Sequence, residues 1–298
     1  RVSMSKASPL SKEDLLACKR LQRQHGTSYY FATHFLPKRH RWAVHALYAF
    51  FRVPDEIVDR LGERSAQDAQ QELARWRDEW RAVRAGGPTT SPVLRLANRV
   101  FEVYAIPDAY AEAFFVSMDQ DTYTFTYPTY PEAERYMYGS AAVVGRMMTH
   151  VLGYMDERAF AHADALGYAM QWTNFLRDID EDWKERGRVY LPQDRMEAHG
   201  LCTADIAGRS FSPAFKDLMT EEIARADALY AQAEQGIKYL AQDGRLGVLV
   251  AARLYQAILR AMEAQNKNPF AGRARTSFLQ KLAIAWKARQ DLSRILLP

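Results

Sequence analysis

Apolar residues in this chain recur mostly at intervals of three and four, the period of helices that turn one face inward. Two segments depart from the usual surface pattern, because polar residues run as a stripe through otherwise apolar sequence. Stepping back from Asp59 by 4, 3, 4 and 3 gives Asp55, Arg52, Tyr48 and His45, in the segment that begins at Pro37. Stepping forward from Gln171 by 3, 4 and 4 gives Asn174, Asp178 and Asp182. On a helix each set lies along one face. Such a stripe costs free energy unless a ligand or partner satisfies it, and two stripes facing each other would enclose a cavity with carboxylates at one mouth.

The same periodicity predicts the rest of the architecture. Ser11, with acidic Asp14 at the third helical position, opens a helix of about a dozen residues, and Pro37 opens the one carrying the first stripe. Further helices are expected over 66–85, 91–104, 107–121, 131–153, 157–186, 213–241, 245–266 and 276–293. Breaks fall at Gly86-Gly87-Pro88, Tyr127-Pro128, Gly187 with Pro192, Ser212-Pro213 and Asn268-Pro269. No segment alternates long enough for a sheet, and no repeat of 20–50 residues is present. The expectation is a single all-α domain over residues 1–298, with about ten helices bundled around a central cavity. Pro54 leaves two readings open, a kink that aims Asp55 inward or a helix that restarts there. Leu61 to Ser65 reads as a mobile flap or as a plain connection.

Composition narrows the function classes. The 298 residues can bury a substantial core. A net charge of +4 without any Lys/Arg block argues against a nucleic-acid partner. Cys18 and Cys202 have neither metal-ligand nor redox spacing, which favours a reducing compartment. No apolar run approaches the ~20 residues that span a bilayer, and no signal-peptide pattern opens the chain. The expected location is the cytoplasm, with room for a peripheral membrane contact.

Asp55 with Asp59, and Asp178 with Asp182, each place two carboxylates one helical turn apart. Oxygen ligands so placed suit a hard divalent cation such as Mg²⁺, which keeps several waters and is completed by substrate phosphates. That chemistry points to a diphosphate substrate.

Four blocks carry a resemblance beyond spacing: His25-Gly26-Thr27-Ser28-Tyr29-Tyr30; His45 to Asp59; Tyr136 to Gly145, rich in small residues; and Gln171 to Asp182 followed by Arg188-x-Tyr190-x-Pro192. Together they resemble the phytoene and squalene synthase family, the head-to-head prenyl synthases, and in wording are most similar to its bacterial phytoene synthases. The resemblance implies an all-α isoprenoid-synthase fold that joins two prenyl diphosphates through Mg²⁺, with Mn²⁺ as a substitute. One substrate ionises, the second attacks to give a cyclopropylcarbinyl diphosphate, and a second ionisation leads to a linear product. It implies that Asp55, Asp59, Asn174, Asp178 and Asp182 hold metal and that Arg52, Arg177 and Arg188 hold phosphate oxygens. Tyr136 is implied in catalysis, and Ser28, Tyr29, Tyr48, Gln171, Tyr190 and Tyr255 in substrate binding. Tyr29, Tyr48, Tyr136 and Trp172 are candidate cavity walls. Two positions depart from the family pattern: Thr27, where many relatives carry Lys, and Pro54, where a non-proline residue usually precedes the first Asp.

His45 lies ten residues before Asp55, ~15 Å along a helix axis, and with Thr33 stands where relatives using C15 substrates narrow their tunnel with bulky aromatics. This favours two C20 geranylgeranyl diphosphates and phytoene as product. The alternative is squalene, dehydrosqualene or hydroxysqualene from two farnesyl diphosphates, with NADPH needed only if the product is squalene. A non-catalytic family member acting as an assembly factor would be expected to lose carboxylates, and all four are present.

Overall fold

The computed structural model describes residues 11–60 and 65–295, so the segment 61–64, most of the expected flap, lies outside the described residues. The chain runs α1 (Lys12–His25), α2 (Thr27–Thr33), α3 (Lys38–Asp59), α4 (Ala66–Arg84), α5 (Pro92–Val103), α6 (Asp108–Gln120) and α7 (Tyr130–Met137). A π-helical turn, Tyr138–Ala142, then leads into α8 (Val143–Leu152), followed by α9 (Ala159–Arg177) and α10 (Ile179–Arg186). The remainder is α11 (Gln193–Ala198), α12 (Thr203–Ala207), α13 (Pro213–Gln235), α14 (Arg245–Ala264) and α15 (Phe278–Ile295). Among the described residues the only β pairing is two isolated bridges, Thr126 with Val189 and Tyr154 with Leu240.

Local chemistry explains the starts. Ser11, Ser65, Ser91 and Ser212 each accept a hydrogen bond from the backbone N–H three residues on, at 3.1–3.3 Å. Pro92 and Pro213 occupy first helical positions, where the missing N–H costs nothing. Gly187, with φ +63°, closes α10 in the left-handed conformation that glycine adopts without strain.

The expected ten helices become more numerous because long periodic segments are interrupted. The 131–153 helix contains the π turn, and the 157–186 helix breaks for one residue at Asp178. Even so, the Asp182 N–H still bonds the Asp178 carbonyl at 2.7 Å, so the second acidic pair keeps its one-turn spacing. Pro54 does not restart the first stripe's helix: α3 runs unbroken through it.

Two apolar cores flank the middle of the molecule. One gathers Leu47 and Phe50 of α3 with Trp80, Leu94 and Phe101. The other gathers Trp172 and Leu176 of α9 with Phe215, Tyr230 and Leu259. The stripes of α3 and α9 face the space between. Backbones approach closely where glycines permit: a Cβ on Gly139 would come within 2.3 Å of the Ala113 carbonyl, and one on Gly167 within 2.7 Å of the Ala141 carbonyl.

Candidate active site

All four expected metal-site aspartates and all the other singled-out binding residues line one polar chamber of about 740 Å³. Helix α3 contributes Tyr48, Arg52, Asp55 and Asp59, and α9 with α10 contributes Gln171, Asn174, Arg177, Asp178 and Asp182. Ser28 and Tyr29 come from α2, Tyr136 from α7 and Tyr255 from α14, with Arg188 and Tyr190 from the segment after α10.

A second, apolar chamber of about 380 Å³ continues from the first. Tyr29, Tyr48, Arg52, Asp55, Tyr136, Gln171 and Asn174 line both, forming a neck between them. Beyond it the walls are side chains such as Thr33, Leu36, Leu47, Phe51, Met148, Leu166 and Val248. Burial holds the phenols of Tyr29, Tyr48, Tyr136, Tyr190 and Tyr255 above their ordinary pKa, so the rings remain neutral.

Arginines interleave with the acids. Arg52 pairs with Asp55 and reaches Asp59 at 3.7 Å. Arg186 bridges the two stripes, 2.9 Å from Asp59 and 3.1 Å from Asp182. Asp178 receives Arg177 at 2.7 Å and Arg273 at 2.9 Å. Even so, burial and the neighbouring Asp178 push the Asp182 carboxyl up to about 7. Burial and Asp59 push Asp55 upward as well, although its side chain opens 45% to the chamber and water moderates the effect. The side-chain amide oxygen Oδ1 of Asn174 is buried without a hydrogen-bond partner. Crowded carboxylates whose charge is held back, beside an unsatisfied amide oxygen, fit a hard divalent cation. Among the described residues no three His, Cys, Asp or Glu side chains converge to hold a metal, so water and substrate oxygens would complete its shell.

The chamber is also lined by an acid that spacing does not reveal. Asp121, just past α6, accepts hydrogen bonds from Tyr136 at 2.7 Å and Tyr190 at 3.0 Å. Arg188 donates to the carbonyls of Val58 and Asp121 and to the Tyr190 hydroxyl, and its guanidinium lies 3.9 Å from the Asp121 carboxylate. Burial raises the Asp121 pKa, while Arg188 and the two tyrosines oppose the rise. Arg188, which the resemblance implies as a phosphate donor, lines the chamber and is tied into this network, with only its Nε unpaired.

The family model described as squalene/phytoene synthase matches residues 22–280. The chain belongs to the squalene/phytoene synthase family. It is 32% identical over 290 residues to the 15-cis-phytoene synthase of Synechocystis sp., covering 92% of this chain and 85% of that one. It is 32% identical over 279 residues to the phytoene synthase of Cereibacter sphaeroides, covering 92% and 78%. Among solved structures, a dehydrosqualene synthase superposes with a TM-score of 0.86 at 25% identity, over 95% of this chain and 98% of that one. A squalene synthase from Alicyclobacillus acidocaldarius gives 0.77 at 28% identity, over 87% and 96%. The chain is thus a prenyltransferase with the family's all-α fold.

Of the two departures from the family pattern, Thr27 lies on the chamber wall, and Arg273, Arg275 and Lys281 from the C-terminal segment bring cations to the same chamber. Sequence spacing could have found Arg186, one turn beyond Asp182, but Asp121 and Arg273 carry no such signal.

Two expected wall residues lie elsewhere. Trp172 is fully buried and packs on Tyr130 and Phe175, away from both chambers. His45 does not face the apolar chamber: its ring bonds the Gln22 side chain, Gln22 donates to Thr33 at 3.0 Å, and Thr33 donates to the Tyr29 carbonyl at 2.7 Å. It thus braces Gln22 and Thr33, which do face it. Burial, with Lys19, His34 and Arg41 nearby, lowers the His45 pKa from 6.5 to about 4. The unfolded chain therefore takes up this proton more readily, and the stabilising contribution is whole above pH 6.5 and is lost as pH falls towards 4. A His45→Gln variant is expected to show a flatter stability profile between those limits; urea titrations at pH 4.5 and 7 that shift equally in both proteins would contradict this.

Proposed function

We infer that the chain condenses two geranylgeranyl diphosphates head to head, through a cyclopropylcarbinyl diphosphate, to give phytoene. The observation carrying this reading is the neck that joins a polar, acid- and arginine-lined chamber to an apolar one. An amphiphilic diphosphate fits such a space in one orientation, head with the aspartates and tail beyond Tyr29 and Tyr48.

Asp55 and Asp59 on one side, and Asn174, Asp178 and Asp182 on the other, would hold Mg²⁺. When bound, the ion supplies positive charge to offset that of the departing diphosphate. Arg52, Arg177 and Arg273 donate to phosphate oxygens, exchanging their carboxylate partners for the substrate. At the neck, the faces of Tyr29, Tyr48 and Tyr136 present π density to the allylic cation, and the apolar walls exclude water that would quench it. Asp121 holds the Tyr136 hydroxyl by its hydrogen bond, which keeps the ring in place.

The likeness to a dehydrosqualene synthase favours farnesyl diphosphate as a second reading. Incubation with each labelled prenyl diphosphate, with and without NADPH, separates the two by product identity. Thr33 lines the apolar chamber, so Thr33→Phe is expected to lower use of the C20 substrate relative to the C15 substrate by about tenfold, since inserted bulk in a filled site costs ~1–3 kcal/mol. An unchanged C20 to C15 ratio would remove Thr33 from the tunnel.

A further inference from the structure

Helix α15 is apolar on two faces: Ala285 and Ala288, with the partly buried Ile284, Leu292 and Ile295, face inward, and a second row of large apolar side chains faces outward. Ala285 and Ala288 pack against α14 and α2, in a cluster with Ala32, Leu249, Val250 and Leu254. Phe278, Leu279, Leu282 and Trp286, by contrast, are 65%, 76%, 44% and 66% exposed. Positions 278, 282 and 286 follow one another at four-residue steps, with 279 beside them, so the four form one continuous stripe. Phe278 meets the ring of Phe31 edge-on at 6.3 Å, which extends the stripe onto α2. Large side chains so exposed on one face of a terminal helix mark a contact surface.

Charge narrows the choice of partner. From 273 to 295 the chain carries Arg273, Arg275, Lys281, Lys287, Arg289 and Arg294 against the single acid Asp291. Asp291 is already paired with Arg253 at 2.6 Å. Lys287, Arg289 and Arg294 are exposed on α15 itself, whereas Arg273, Arg275 and Lys281 line the polar chamber. A stripe of Trp, Phe and Leu flanked by cations matches a lipid surface with anionic headgroups, into which the rings insert while the cations stay at the phosphates. No described helix is long and apolar enough to cross a membrane, so the contact is with one leaflet.

We propose that α15 docks the protein on an anionic membrane surface through Phe278, Leu279, Leu282 and Trp286. The location serves a protein that handles apolar chains. Helices α2 and α14, which α15 covers, present Ala32, Thr33, Val248 and Ala251 to the apolar chamber on their inner side. The docked surface is therefore one helix layer from the cavity that would hold the hydrocarbon.

Co-sedimentation of the full chain with phosphatidylcholine vesicles, with and without one-third phosphatidylglycerol, tests this. The protein is expected to pellet with the anionic vesicles and to be released by salt. Leu279→Ser combined with Trp286→Ser should weaken binding at least ~tenfold, and Lys287→Glu with Arg289→Glu at least ~fivefold, since each cation near such a surface is worth a factor of about five. All four side chains are exposed, so both variants should keep the wild-type melting temperature and their turnover in detergent. Equal binding by wild type and the serine variant, or no binding to anionic vesicles, overturns the assignment. So does wild-type self-association in light scattering that the serine variant abolishes, which would make a second copy the occupant. Because vesicle binding is read without substrate, its failure would leave the condensation chemistry untouched.

Discussion

An Asp178→Asn enzyme is expected to fold as the wild type does and to lose at least ~10²-fold in turnover. The substitution keeps size and shape while removing the charge that faces Arg177 and Arg273. Loss of one preorganised electrostatic group at a site of developing charge typically costs ~10²–10³ in rate. The fold should survive because the backbone bonds around residue 178 do not involve its side chain, and because removing one acid relieves its repulsion of Asp182. Steady-state phytoene formation across a Mg²⁺ titration, with a thermal melt, provides the measurement. Chelation by EDTA should silence the wild type alike. Near-normal turnover in the variant, or full wild-type activity in excess EDTA, would refute the metal assignment.

The second large effect is on stability. Asp121→Leu should cost ~3–5 kcal/mol, because it strands a buried guanidinium and leaves two buried phenols without their acceptor. The Asp121→Asn variant should lose considerably less, since an amide oxygen can still accept from one tyrosine. Urea denaturation compares all three proteins. If Leu and Asn variants unfold at the wild-type urea concentration, the Asp121 network in the chamber wall is incidental to the fold.

Much of the acid site was legible because helical period and chemistry coincide in it. His45 to Asp59 and Gln171 to Asp182 are each a single line at helical spacing in the sequence, and a polar line through apolar sequence has few explanations. What could not be read followed from the third dimension. Helix α9 is enclosed by α8, α13, α14 and the π turn, so an apolar or aromatic position on it can face a neighbour as readily as the cavity, and Trp172 faces Tyr130. His45 shares a face with Tyr48 but meets Gln22 of α1 before it can reach the chamber. Asp121 has no acidic neighbour at helical spacing, and its importance comes from Tyr136, Arg188 and Tyr190, up to 69 residues away. Helix α2 is only seven residues long and rich in aromatics and threonine, poor intrinsic helix formers, and it is held by packing on α1 and α14.

The π turn resolves a difficulty of phase. The cavity lining from α7 to α8 includes Tyr136, Ser140, Val144, Met148 and Leu152, a strict interval of four, with Ala141, Gly145 and Thr149 beside them. In a regular α-helix that interval overshoots a full turn by about 40° each time, so the five positions would spiral through about 160° and the ends would point to nearly opposite sides. A π turn takes up one additional residue and returns the phase by about 100°. Residues 138–142 thus act as a phase correction that lets a single helical rod serve one wall from the carboxylate mouth to the far apolar end. Winding those residues as regular α-helix with none removed would preserve composition and helicity, yet turn Tyr136 by about 100° from the side that Met148 and Leu152 face.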